Sequence, residues 1–220
     1  MKIVLCIPGY TFRREVVIDI ILFLEESRKM GWDVTLKCKY LPNVYKVRDD
    51  LLEGIPQLGK EQKPFNGKID YDYVLWIDSD IRFNTKMIET LLSHKKDVIT
   101  GLYKMVNDKY AMIEKDYDNV TRKPLINQYF DDKELQKKMD ENNMGIFPIL
   151  SCGLGICLMS RKALESIEYP WFIPVYSRED NSCIQFSGED AGICIRLRDA
   201  GFTIYCDPNI IAGHMKMTMI

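Results

Sequence analysis

A chain of 220 residues, 46% hydrophobic and 28% charged, is long enough for one globular domain with a sizeable core, with or without a subdomain. Its formal net charge of -2 gives no electrostatic case for nucleic acid or an anionic membrane as partner. Seven cysteines, an odd number with no Cys-x-x-Cys pair, include several in apolar runs that read as buried thiols, and they argue against a disulfide scaffold or a zinc ribbon.

In chain order, Ile3 to Ile7 reads as a buried strand left by the loop Pro8-Gly9-Tyr10-Thr11. This short apolar start is not expected to be a signal peptide, and the apolar run 16–24 contains Asp19 and falls short of the roughly 20 residues that span a bilayer. The expectation is a soluble, cytoplasmic protein. A helix follows from about Arg14 to Lys29 with Gly31 as its stop. Residues 32–40 then alternate, with Val34, Leu36, Cys38 and Tyr40 on one face. Asn43 caps a short helix carrying Val44, Val47, Arg48, Leu51 and Leu52. Strand, helix, strand, helix opens a parallel α/β sheet.

Residues 55–70 are polar and read as a surface loop. Next comes Tyr71-Asp72-Tyr73-Val74-Leu75-Trp76-Ile77-Asp78-Ser79-Asp80, a buried strand that ends in two carboxylates. Asn84 to His94 is a helix, with His94 at the surface beside two lysines, and the strand from Asp97 to Thr100 ends at Gly101. Residues 106–145 are more polar and read as an insertion or subdomain, with a solvated helix or loop near 131–138. Ser151 to Met159 is glycine-rich and then strand-like. Ser160 caps a helix running through Ile167, Tyr169 to Val175 is aromatic and proline-rich, and residues 176–187 read as a mobile loop. Gly188-Glu189-Asp190 opens a helix ending near Gly201, Phe202 to Cys206 is a strand, and the tail runs through Gly213-His214.

The end of a buried strand should not carry two acids unless something neutralises them. A divalent cation does so and can share its shell with a phosphate. The bland alternative is a turn or a helix cap. In open α/β sheets, sites form outside the carboxyl ends of the strands. Four groups fall at such places: Pro8-Gly9-Tyr10, Asp78-Ser79-Asp80, Gly101 and the Gly153 loop. His214, one of two histidines, is a candidate third ligand, and imidazole beside carboxylate and phosphate oxygens suits Mn²⁺ better than Ca²⁺. Glu189 and Asp190 either favour the dipole of their own helix or orient and deprotonate an acceptor hydroxyl. Trp171 and Phe172 read as core or as a sugar-binding shelf.

Taken together, the strand ending Ile7-Pro8-Gly9-Tyr10, Val47-Arg48-Asp49, the run from Val74 to Asp80, Gly153-Leu154-Gly155, Gly188-Glu189-Asp190 and Gly213-His214 resemble, in order and over most of the chain, the GT-A family of nucleotide-sugar glycosyltransferases. Within it the chain is similar to small virus-encoded domains of the chlorella-virus type. The resemblance implies a GT-A fold, with residues 1–105 as the nucleotide-binding half, 146–220 as the acceptor and metal-completing half, and 106–145 as a polar insertion that matches no family motif.

It also implies roles. Asp80 would bind Mn²⁺ (or Mg²⁺) directly, with His214 completing the protein's share of the shell. Asp78 would bind the ribose, or the metal through water. Pro8, Gly9, Tyr10 and Arg48 would line the uridine pocket, with Ser79 leaving room for the ligand. Gly153 and Trp171 would flank sugar and acceptor, and Glu189 and Asp190 would face the acceptor hydroxyl. The implied partners are a UDP-sugar donor and a glycan or other hydroxyl acceptor. The short tail after His214 leaves room for this to be one domain of a longer polypeptide.

Three other readings fit less well. A sugar-phosphate nucleotidyltransferase needs a glycine-rich, arginine-bearing loop after the first strand, whereas residues 8–13 hold a single glycine. A phosphatase with an aspartate nucleophile has Thr or Val soon after its Asp-x-Asp, whereas Asp80 precedes Ile81-Arg82. A catalytically inactive sugar-nucleotide-binding module does not need the full set of Asp78, Asp80, Asp190 and His214.

Overall fold

The structure is a computed structural model that describes residues 1–113, 129–180 and 183–215. Its first half runs β1 (Lys2–Pro8), α1 (Arg14–Lys29), β2 (Asp33–Lys39), α2 (Val44–Leu51), β3 (Tyr73–Ile77), β4 (Ile81–Arg82), α3 (Thr85–Ser93), β5 (Val98–Tyr103) and β6 (Met112–Ile113). Its second half runs α4 (Asp132–Glu141), β7 (Phe147–Ile149), β8 (Ser151–Cys152), β9 (Ile156–Ser160), α5 (Arg161–Leu164), β10 (Val175–Asp180), β11 (Cys183–Ser187), α6 (Glu189–Asp199) and β12 (Ile204–His214).

The main sheet has the order β2-β1-β3-β9-β5-β12-β4, with β7 also paired to β12. β1 is parallel to both β2 and β3, and β5 is parallel to β12. β9 runs antiparallel to both of its neighbours, β3 and β5. The fold is therefore a mixed α/β sheet flanked by helices. The reversal of β9 matters for the site. The Gly153 loop precedes this strand, yet it arrives at the carboxyl ends of β3 and β5.

The unbroken apolar run of β3 follows from burial on both faces. Val74 and Trp76 join a cluster with Val47 and Leu51 of α2 and Ile193 and Leu197 of α6. Leu75 and Ile77 join Val16 and Phe23 of α1 and Ile88 and Leu91 of α3. Local signals fix the helix ends. The Asn43 and Asn84 side chains accept from the backbone N–H groups of Lys46 and Met87, and Gly31 takes φ 72° just past α1. At the start of α4, Asp131 and Glu134 form a capping box.

Several expectations are corrected. Gly101 lies inside β5, not at its end, and a Cβ there would come 2.7 Å from Cγ2 of Ile210. It is a close-packing glycine inside the sheet. The span expected to be a mobile loop forms the antiparallel pair β10–β11. α5 stops at Leu164, short of Ile167. Residues 55–70 wrap into two short 3₁₀ turns around Phe65, which is fully buried. β2 is an edge strand, so its alternation leaves Leu36 exposed. The central part of the polar segment, 114–128, lies outside the described residues. Its described flanks are tied into the core, with Tyr110, Met112, Phe130 and Leu135 in the same cluster as Trp76. Among the described residues, no helix is long and apolar enough to cross a membrane.

Candidate active site

The two aspartates after β3 are sent in different directions by a turn. Side chains alternate along a strand, and Ile77 faces the α1 layer, so Asp78 points to the α2 and α6 layer. The Ile81 N–H donates to the Asp78 carbonyl at 3.0 Å and closes a turn over Ser79-Asp80. Asp80 thereby emerges beside the end of β12, where its carbonyl accepts from the Met215 N–H at 2.8 Å and β4 pairs with His214.

Asp80 Oδ2 lies 3.1 Å from His214 Nε2, and His214 Nδ1 lies 2.7 Å from the Lys104 carbonyl oxygen. A carbonyl only accepts, so Nδ1 carries a hydrogen. Nε2 then either carries a second proton in an ion pair with Asp80 or offers a lone pair to a cation shared with the carboxylate. Backbone orientation of one imidazole nitrogen while the other faces a carboxylate is the arrangement of metal-binding histidines. The Asp80 side chain is 45% exposed, so a ligand can reach it. Among the described residues no group of three or more His, Cys, Asp or Glu could hold a metal ion. Asp80 and His214 thus fit a cation whose remaining ligands come from elsewhere.

Beside them, Gly9 passes so close to Ser79 that a Cβ at Gly9 would lie 2.5 Å from the serine Cβ. The small residues let the β1 loop lie against the acidic turn, so Ser79 makes room for this loop as well as for any ligand. Pro8 is buried at the end of β1, and Tyr10 is exposed with its ring 4.8 Å from that of Tyr40.

The second part of the site lies inward. Arg48 is buried, with Nη2 3.0 Å from Asp78 Oδ1 and 3.5 Å from Asp190 Oδ1, and Nε 3.4 Å from Glu189 Oε1. Its guanidinium also lies over the Trp76 ring, 5.4 Å from the centroid. One cation thus gathers three carboxylates from two elements. Arg48 Nη1 and Asp190 Oδ1 are buried without a hydrogen-bond partner. The other oxygen of Asp190 accepts from the Leu154 N–H at 3.3 Å. Burial, with Glu189 and Asp78 adding to it, pushes the Asp190 carboxyl up to about 7 against the opposing pull of Arg48 and the Leu154 N–H. A cavity of about 210 Å³ opens beside Asp190, lined also by Glu189, Gly153, Tyr103 and Tyr129.

Arg48 therefore belongs to the protein interior and does not line an open nucleotide pocket, because its charge is needed by Asp78, Glu189 and Asp190. Asp78, expected at the ribose or the metal, pairs through Oδ1 with Arg48 while its side chain stays 28% exposed. Gly153 borders the cavity as expected, and it has to be glycine because a Cβ would come 1.9 Å from the Tyr103 hydroxyl oxygen. The Tyr103 ring in turn stands edge-on to His214 at 5.4 Å. Trp171 is no sugar shelf: it is 0% exposed, and its backbone N–H donates to Asp49 Oδ1 at 2.9 Å. His94 is not a bare surface residue, since its Nε2 lies 2.8 Å from Asp207, a buried carboxylate.

Sequence reasoning missed the Arg48 cluster and the Lys104 carbonyl. For Arg48 a signal existed: an arginine on the same helical stripe as Val44, Val47 and Leu51 is a buried cation that needs acids. For a backbone carbonyl no residue-type signal exists.

No family model matches this chain, and no curated protein matches it. Among solved structures it is similar to the crystal structure of A197 from STIV, with a TM-score of 0.57 and 18% identity, covering 99% of this chain and 87% of that one. The likeness is one of fold and runs over nearly the full length of both chains.

Proposed function

We propose that this chain is a metal-dependent glycosyltransferase of GT-A fold, moving a sugar from a UDP-sugar to a hydroxyl group of a glycan or other acceptor. The observation that carries this reading is the Asp80–His214 pair at the carboxyl end of the sheet, with His214 Nδ1 fixed by the Lys104 carbonyl. Carboxylate oxygen and imidazole nitrogen are a donor set for Mn²⁺ or Mg²⁺, with diphosphate oxygens as the remaining ligands. When bound, the ion supplies Lewis-acid stabilisation of the charge that develops on a leaving diphosphate.

This chain's own residues supply the rest. Asp190 borders the cavity with its carboxyl raised to about 7, which suits it to accept a proton from an acceptor hydroxyl near neutral pH. Arg48 holds Asp78, Glu189 and Asp190 in one arrangement without entering the reaction. The exposed Tyr10 and Tyr40 rings offer an aromatic face at the end of β1 where a uracil can stack.

Thermal melting with UDP, with and without Mn²⁺, tests the reading. The expected result is stabilisation that requires both and disappears in Asp80→Ala. An absence of UDP binding with every divalent metal tried overturns it. A screen of UDP-sugars for slow hydrolysis then identifies the donor and separates an enzyme from a binding module.

A further inference from the structure

α1 is apolar on two faces, and only one of them is covered. Val16, Ile20 and Phe23 are buried against the sheet, as the moment of a surface helix requires. Val17, Ile18, Ile21 and Leu22 form a second stripe, each between 40% and 50% exposed. Four large aliphatic side chains contiguous on one exposed helix face are more than a monomer's scattered surface apolar residues, and such patches mark interaction sites.

The charges that flank the stripe say what covers it. Arg14 precedes it on the same face and Glu25 follows it. Laid antiparallel on a second copy of itself, with a two-fold axis between residues 19 and 20, α1 sets Ile18 against Ile21, Val17 against Leu22 and Arg14 against Glu25. These six positions then each meet a complementary partner. A parallel alignment sets arginine against arginine and glutamate against glutamate. Arg14 is 84% exposed and touches Glu15 only at 3.4 Å, an exposed contact too weak to hold it from an intermolecular partner.

We infer that this chain forms a two-fold dimer through α1, packed antiparallel on the α1 of a second copy. Ile18 and Ile21, flanked by Val17 and Leu22, form the apolar centre of the stripe, with Arg14 four residues before Ile18 and Glu25 four after Ile21. α1 lies on the opposite layer of the sheet from α2 and α6, so the dimer leaves the cavity beside Asp190 open.

Sedimentation of the full chain over a concentration series tests this. The expected result is a monomer–dimer equilibrium that is lost in Ile18→Lys with Ile21→Lys, while the circular dichroism and melting of the variant stay those of the folded monomer. Arg14→Glu alone sets two acids against each other and weakens the dimer by about tenfold. Combining it with Glu25→Arg swaps the charges and restores association. A chain that stays monomeric at every concentration overturns the inference, as does a monomer that floats with phosphatidylserine–phosphatidylcholine vesicles through α1. So does a dimer insensitive to the lysine pair, or one that the charge swap fails to restore.

Discussion

Asp78 and Asp80 stand one residue apart and live in opposite surroundings. Asp78 turns inward to a buried arginine already shared with Glu189 and Asp190, so its charge is answered by the protein itself. Asp80 turns outward to a histidine whose far nitrogen is held by a backbone carbonyl, at a place solvent can reach. The inner group sets one cation among three acids, with Arg48 Nη1 and Asp190 Oδ1 left without a hydrogen-bond partner. The rim pair is open to a further charge. Under the proposed function, this Asp-x-Asp motif is two devices, one that sets the shape of the site and one that would receive a ligand.

Four experiments break or sharpen that contrast. The largest effect is expected from Arg48→Met. Removing the cation leaves three carboxylates without it and should cost about 3 kcal/mol or more of stability in urea unfolding, whereas a loss near zero would mean the acids are solvated. Gly153→Ala comes next. Its Cβ must displace the Tyr103 ring, which also touches His214, so we expect a loss of about 1–3 kcal/mol together with weaker Mn²⁺-dependent UDP stabilisation. An effect on stability alone would separate the two regions.

The third concerns pH. The Asp190 carboxyl at about 7 lies above its ordinary value of 3.8, so the folded state holds this proton more tightly than the unfolded state. Its stabilising contribution is complete below about pH 4 and is lost as pH rises through about 7. Asp190→Asn should flatten the unfolding midpoint across that range relative to wild type, and parallel profiles would refute the assignment. The smallest stability effect belongs to Asp80→Asn, within about 1 kcal/mol because the pair is partly exposed. That variant should nonetheless lose the metal dependence of UDP binding in a thermal melt.

Much of the fold was legible in the sequence because its signals are local. Asn43 caps the helix it was expected to cap, a helix begins at Asn84 as expected, and the run from Val74 to Ile77 is a strand buried on both faces. The direction of β9 was not legible, because an apolar strand reads the same whichever way it lies between its neighbours. Gly101 and Trp171 were misjudged for a related reason. A glycine or a tryptophan near a strand end serves a site or a packing contact equally well, and only the positions of Ile210 and Asp49 decide. The meeting of Asp80 with His214 was anticipated from residue type. The pairing of Asp78 with Arg48 depends on how α2 lies over the carboxyl end of β3, which residue type does not specify.

The reversed β9 also governs how the chain must assemble. Residues 156–160 fill the gap between β3 and β5, so the sheet made by the first 105 residues stays split until much later chain arrives. Until then β3 and β5 each present an unpaired apolar edge, a state prone to wrong pairing. The central joint of the sheet therefore needs residues from the second half of the sequence, and a fragment ending after β5 should be found in inclusion bodies.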